Sequence, residues 1–217
     1  MSQTMDVGAH PATAPGAGAA GGRVTDAEEH VTGAEEHVTG AEGEITGADG
    51  YTELTSRDRL RELLGEPHPV VIDKVHGRLT EEDRQTLARS PFCLLATADL
   101  HGNCDVSPRG DGPGFTHVID PGTLALPDRP GNRRGDSFHN ILDNPHAGLL
   151  YLVPGSRDVL RVNGRARVLT DAPFFDAMTV AGRRPALALL LEIDEIYRHC
   201  PASLNRSGIW KPESWEN

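Results

Sequence analysis

Apolar residues are scarce along the first fifth of the chain and then arrive in short blocks whose spacing changes. Residues 1–50 contain no Phe, Trp, Tyr, Leu or Cys. Such a segment buries too little to offset the entropy of ordering, so a disordered tail is expected there. A folded body is expected over 51–217. Ser56 precedes Leu60, Leu63 and Leu64, and Gly65 follows them, which predicts a capped helical lead-in. Thr80, with Asp83 three residues on, predicts a second helix ending before Pro91. At Phe92 the spacing shifts to that of strands. Phe92 to Thr97 reads as a buried strand, DLHGN (Asp99 to Asn103) as a turn, and Cys104 to Ser107 as the returning strand. Val118-Ile119 and Thr123 to Leu126 flank Asp120-Pro121-Gly122 as another hairpin. Ser137 is expected to cap a helix through Ile141 and Leu142 that stops at Asn144-Pro145. Ala147 to Val153 is an apolar strand. From Leu160 to Val168, Leu160, Val162, Ala166 and Val168 alternate with Arg161, Asn163, Arg165 and Arg167. Ala186 to Ile193 is the last apolar block. The pattern predicts a mainly β (β+α) fold of short antiparallel strands with inserted short helices. Closure into a small barrel is the economical protection for so many strand edges.

Within the tail, VTDAEEH, VTGAEEH, VTGAEGE and ITGADGY recur from Val24, Val31, Val38 and Ile45. A period of seven suggests a coiled coil, but each unit has one weak apolar anchor and a helix-opposing Thr-Gly or Thr-Asp. An acidic linker is the better reading. The tail has nine acidic residues and one basic one, a net of -8, whereas the body's net charge is only -3 out of the whole chain's -11. Global acidity therefore says little about what the body binds. It does oppose a polyanionic partner, so no nucleic-acid role is expected. No stretch approaches the roughly 18 apolar residues of a membrane span, and the start lacks a basic-then-apolar secretory signal. Cys93, Cys104 and Cys200 are an odd set without CxxC spacing, which argues against a disulfide framework or a zinc site. A reducing cytoplasm is the expected location.

Three stretches carry candidate chemistry. Ser107-Pro108-Arg109-Gly110-Asp111 ends a predicted strand and places an arginine fork, suited to phosphate or carboxylate, between Pro and Gly. A structural pairing of Arg109 with Asp105 or Asp111 is the alternative. The second stretch, LPDRPGNRRGDSFHNILDNP, sets Arg129, Arg133 and Arg134 around a turn that leads straight into a helix. Unpaired N–H groups at a helix start, joined by two arginines, form an anion site. A solvated loop paired with Asp128 and Asp136 is the alternative. The third is HCPASLNRSGIW, residues 199–210, where Arg206 and Trp210 are candidates for a ligand or an interface. No Ser-His-Asp order or carboxylate pair stands out, so catalytic residues are not assigned, and no metal site is expected.

Taken in order, SPFCLLATAD, GNCDVSPRGD, TLALPDRPGNRRGDSFHNILDNPHAGLLYLVPG and LRVNGRARVLTD resemble the pyridoxamine 5'-phosphate oxidase-like flavoproteins, in the branch with SPRGD and PDRPGNRR signatures. The resemblance covers residues 55–212. It implies an antiparallel split β-barrel and a homodimer with FMN at the subunit interface. The phosphate-binding positions it implies are Ser107 and Arg109 on one element and Asn132, Arg133, Arg134 and Ser137 on the other; Arg206 and Trp210, singled out above from the C-terminal stretch, are expected as further cofactor contacts. Gly135-Asp136-Ser137 stands where proteins nearer the oxidase have Ser-Arg-Lys, which shifts the phosphate charge to Arg133 and Arg134. Ala202 replaces a family Lys two residues after Cys200, and the oxidase's substrate-phosphate motif is missing. The expected function is thus an FMN-dependent oxidoreductase acting on a small molecule other than pyridoxamine phosphate. The alternatives are a deazaflavin or heme protein of the same fold, and a non-enzymatic flavin-binding module.

Overall fold

The computed structural model describes residues 41–215; most of the expected acidic tail, with the first two of its four repeat units and the start of the third, lies outside them. The chain divides into two compact units at Gly65. In the first, β1 (Glu44–Thr46) pairs antiparallel with β2 (Thr52–Leu54), placing Ile45 opposite Glu53. The fourth repeat unit therefore forms a hairpin, and the expected boundary at residue 50 falls inside it. Backbone pairing supplies order here where side-chain burial does not. Helix α1 (Arg57–Leu64) begins with the Ser56 hydroxyl accepting from the Asp58 and Arg59 amides and ends at Gly65, as its sequence signals predict. Arg59 Nε donates to Glu44 at 2.7 Å, fastening the helix to the hairpin.

The second unit opens with a short helix, α2 (Pro69–Asp73), followed by α3 (Glu81–Arg89). Thr80 and Asp83 form the reciprocal capping box that their spacing predicts. Seven strands follow: β3 (Phe92–Ala98), β4 (Cys104–Gly110), β5 (His117–Asp120), β6 (Thr123–Pro127), β7 (His146–Leu152), β8 (Val159–Leu169) and β9 (Ala188–Arg198). Helix α4 (Asp136–Asp143) is inserted between β6 and β7, and α5 (Ala202–Ser207) follows β9. Every strand predicted from the pattern is present, several of them longer by a few residues.

The strand order is β4-β3-β7-β8-β9-β6-β5, antiparallel throughout. Leu95 of β3 and Leu124 of β6 stand four strands apart yet share one buried cluster with Leu149, Val162 and Leu191. The sheet must curl to bring them together. Its two edge strands, β4 and β5, do not pair with each other, so this is an antiparallel split barrel. Leu87 of α3 and Ile141 of α4 complete the core.

Two stretches depart from simple alternation. The first half of β9, Ala188 to Leu191, is buried on both faces. One face meets the barrel core, and the other meets a second cluster built by Phe175 and Met178 from a one-turn helix that the pattern does not predict. The polar face of β8 is matched by side chains of its neighbours. Arg161 donates to Tyr197 Oη at 2.8 Å, Asn163 to Glu195 at 2.6 Å and Arg167 to Glu192 at 2.9 Å.

Candidate functional site

Strand period brings the first candidates together. On β4, Asp105, Ser107 and Arg109 lie on the half-buried face, while Cys104, Val106, Pro108 and Gly110 are exposed. Helix α4 packs on that strand and on β3. Across thirty residues of sequence, Ser107 Oγ and Ser137 Oγ stand 2.8 Å apart. Ser137 Oγ donates onward to Asp105 Oδ2 at 2.7 Å.

Ser137 is not the helix cap. Gly135 occupies that position in the left-handed region (φ 73°), and Ser137 sits in the first turn, only 2% exposed. A glycine tolerates that backbone, so the chain turns into the helix earlier than a serine cap would allow. The Ser137 hydroxyl is thereby freed to face β4. No side chain caps the helix start, which leaves its amides available to an anion.

The arginines of the turn separate into different roles. Arg129 Nε donates to Asp111 at 2.6 Å and its NH2 to the Met178 carbonyl at 2.9 Å, so Arg129 is a structural tie. Asp111 is held below the usual carboxylate range, first by the Gly112 amide and then by Arg129. Asn132 Oδ1 accepts from the Arg134 amide at 3.0 Å, shaping the turn. Arg134 pairs with Asp136 at 2.8 Å in an exposed contact. Arg133 adopts a left-handed backbone (φ 62°) and is exposed, with no ion pair among the described residues. Left-handed backbone in a residue with a Cβ is a strained choice, of the kind found at functional turns.

Arg109 bridges the split in the barrel. Its NH1 lies 3.3 Å from Asp128 Oδ1, just past β6, and its guanidinium stacks 5.1 Å from the Phe138 ring centroid. Its Nε is buried with no acceptor among the described residues. Burial pushes the Asp128 carboxyl up despite the nearby Arg109 and Arg129. A cavity of about 10 Å³ lies here, lined by Arg109, Asp128, Phe138, Leu95, Leu126 and Leu189 among others. A larger open groove of about 340 Å³ lies on β3, β7 and β8, lined by Ala96, Gly148 and Asn163 among others, and none of the candidate residues touches it. Burial pushes the Cys93 thiol, paired in register with Arg109, up to about 12, so it stays protonated.

The C-terminal candidates lie apart from this cluster. Arg206 is on α5 and exposed; Trp210 has its indole Nε1 buried without an acceptor among the described residues. No hydrogen bond or ion pair among the described residues links either to β4 or α4. His199 Nε2 is likewise buried and unpartnered, and burial, then Arg161 and Lys74, lower its pKa. The alternative pairing of Arg109 with Asp105 or Asp111 is not the one found, since Arg109 faces Asp128, Asp111 holds Arg129 and Asp105 accepts from Ser137; pattern reading gave neither that role of Asp105 nor the places of Phe138 and Asp128. Asp105 was within reach, because it lies two residues before Ser107 on the same strand face. The other two could not be found without knowing which elements meet across the split.

An antiparallel split barrel whose edge strand and inserted helix bring together two hydroxyls, a guanidinium and a basic turn belongs to the split-barrel class. Residues 79–200 match the family model described as pyridoxamine 5'-phosphate oxidase, and the chain belongs to that family. Among solved structures, it is similar to HupZ of Group A Streptococcus (18% identity, 55% of this chain and 93% of that one, TM-score 0.46). It is also similar to a Lactobacillus delbrueckii protein classed with pyridoxamine 5'-phosphate oxidase (25% identity, 56% and 95%, TM-score 0.46). A third is an FMN-binding protein of Syntrophomonas wolfei (14% identity, 65% and 92%, TM-score 0.44). A search among curated proteins returns no match. Among the described residues no helix is long and apolar enough to cross a membrane, and no group of three or more His, Cys, Asp or Glu lies together as metal ligands would.

Proposed function

We propose that the chain is an FMN-dependent oxidoreductase that holds the FMN phosphate between β4 and the start of α4. The observation that carries this is the meeting of Ser107 and Ser137, from two separate sequence motifs, beside the orphaned Nε of Arg109. An unsatisfied buried donor is costly unless something accepts from it, and a phosphate oxygen is a fitting acceptor. Membership of the family supports the same ligand.

Ser107, Arg109, Asn132, Arg133, Arg134 and Ser137 would hold the phosphate. Arg133 and Arg134 contribute charge, Asn132 sets the turn, and the uncapped amides of α4 add donors. When bound, FMN supplies the hydride or electron transfer, and the protein supplies grip, orientation and electrostatics. The substrate is a small molecule. Pyridoxamine phosphate is disfavoured, because the oxidase's substrate-phosphate motif is missing from the C-terminal sequence.

The cavity beside Arg109, about 10 Å³, falls far short of the roughly 300 Å³ of a small ligand pocket. A flavin at this position therefore needs a second wall, which a homodimer supplies. Arg206 and Trp210 are candidates to complete the site from the second protomer, where the buried indole N–H would find an acceptor. Three free cysteines suit the cytoplasm.

The test is flavin titration of the full chain. Arg133→Ala combined with Arg134→Ala is expected to weaken FMN binding at least about tenfold, as the loss of charge-assisted phosphate contacts should. Binding of riboflavin, which lacks the phosphate, should be unchanged. Equal FMN affinity in the double variant and the wild type would remove the phosphate assignment.

A further inference from the structure

The contact between Ser107 and Ser137 has a third member that gives it a direction. An ionised carboxylate accepts hydrogen bonds and cannot donate one. The single hydroxyl proton of Ser137 is therefore committed to Asp105 Oδ2, 2.7 Å away. The 2.8 Å contact between the two serines is then filled by the proton of Ser107. The chain of donors runs from Ser107 to Ser137 to Asp105, so both hydroxyl protons point into the protein. Strand alternation places Asp105 and Ser107 on the same face, and Ser137 is almost fully buried between them and its helix.

The neighbouring cations follow the same pattern. Arg109 faces Asp128 at 3.3 Å and Arg134 faces Asp136 at 2.8 Å, with Asp105 also acting on Arg134 through space. Ser137, Arg109 NH1 and Arg134 Nε are thus already engaged by the site's own carboxylates, whereas Arg109 Nε has no acceptor among the described residues. An incoming oxyanion has to compete with them.

We propose that Asp105 sets the affinity of this site for an anionic group. By holding the proton of Ser137, and through it that of Ser107, it weakens the grip on a phosphate and keeps the ligand exchangeable. Asp105 is a positioning residue that acts through Ser137, and the inference rests on the reading of these serines as phosphate contacts. Replacing the carboxylate by an amide of the same shape lets the chain run the other way. The amide N–H donates to Ser137, Ser137 to Ser107, and Ser107 outward to the ligand.

The experiment titrates the full chain with FMN and with riboflavin, following flavin fluorescence. It compares wild type, Asp105→Asn, Ser137→Ala and the double variant, with melting temperature as the check on folding. Asp105→Asn is expected to tighten FMN binding about tenfold, the worth of one hydrogen bond to a charged group, and to leave riboflavin unchanged. Ser137→Ala should cancel that gain in the double variant. The inference is overturned if Asp105→Asn leaves FMN binding unchanged or weaker, or if riboflavin gains equally. It is also overturned if the gain survives Ser137→Ala, since removal of charge alone would then explain it. Loss of FMN binding on Arg133→Ala and Arg134→Ala without any response to Asp105→Asn would sink this inference and leave the phosphate site standing. Failure of both wild type and Asp105→Asn to bind FMN would sink both.

Discussion

Gly164 shows how little room some positions of the barrel leave. A Cβ built there would lie 2.0 Å from the Glu192 carbonyl oxygen of the adjacent strand. The register of β8 and β9 shifts at this point, where Asn163 pairs with Glu195 and Gly164 with Ile193, leaving Asp194 as the extra residue of a bulge. The obstacle is backbone and cannot rotate away. Gly164→Ala is expected to cost about 3 kcal/mol, the range for overpacking against fixed atoms, read as a lower midpoint in urea denaturation. A midpoint within error of the wild type would mean that the bulge relaxes. At the same scale, the three arginines of the basic turn, alike in sequence, divide by contact: Arg129 is tied down, Arg134 is paired at the surface and Arg133 has no ion pair among the described residues.

Elements meet through groups whose protonation can be followed. Between α2 and α3, His76 places both ring nitrogens against acceptors, with Nδ1 2.9 Å from the Lys74 carbonyl and Nε2 2.7 Å from Asp83. Only the imidazolium can donate at both. Burial disfavours that charge, as does Arg198, but the bonds to Asp83 and Lys74 outweigh them and the His76 pKa is raised above 6.5. Burial would raise the Asp83 carboxyl, but hydrogen bonds from Thr80 and His76 hold it low. A raised histidine pKa stabilises the fold fully below the unfolded value, and that contribution disappears as pH rises through the folded value. The melting temperature of the wild type is therefore expected to lose a contribution as pH climbs above 6.5, and His76→Gln should flatten that part of the profile. Identical profiles for the two proteins would exclude His76 as its source. The same stretch shows what was legible at this scale. The Thr80–Asp83 capping box follows from spacing alone, because its partners are local. The bond from Asp83 to His76 depends on how the segment before α3 folds back.

At the scale of the whole molecule, the sheet curls without closing, and Arg109 and Asp128 face each other across the split. The site at that split has Val106 and Pro108 of the edge strand exposed beside it. A homodimer is expected, with a mass by light scattering of about twice the 23.3 kDa chain and FMN bound at one per protomer. A monomer that still binds FMN tightly would show that the flavin needs no second wall.

The order of hydrophobic and polar residues by itself determined the strands, the turns between them, two helix caps and the presence of basic turns, because each depends on neighbours a few residues away. The residue types of the two basic stretches put Arg109, Arg133 and Arg134 among the candidate residues, and the family resemblance added Ser107 and Ser137. Only the tertiary structure decided that Ser137 faces β4 instead of capping its helix, that Arg129 is structural, and that Asp105 engages Ser137 and Asp128 engages one nitrogen of Arg109. Those outcomes depend on which strand edge meets which helix face, and no local pattern carries that information. Burial then sets the energies, since a hydroxyl proton or a guanidinium removed from water goes to whichever acceptor the fold brings within reach.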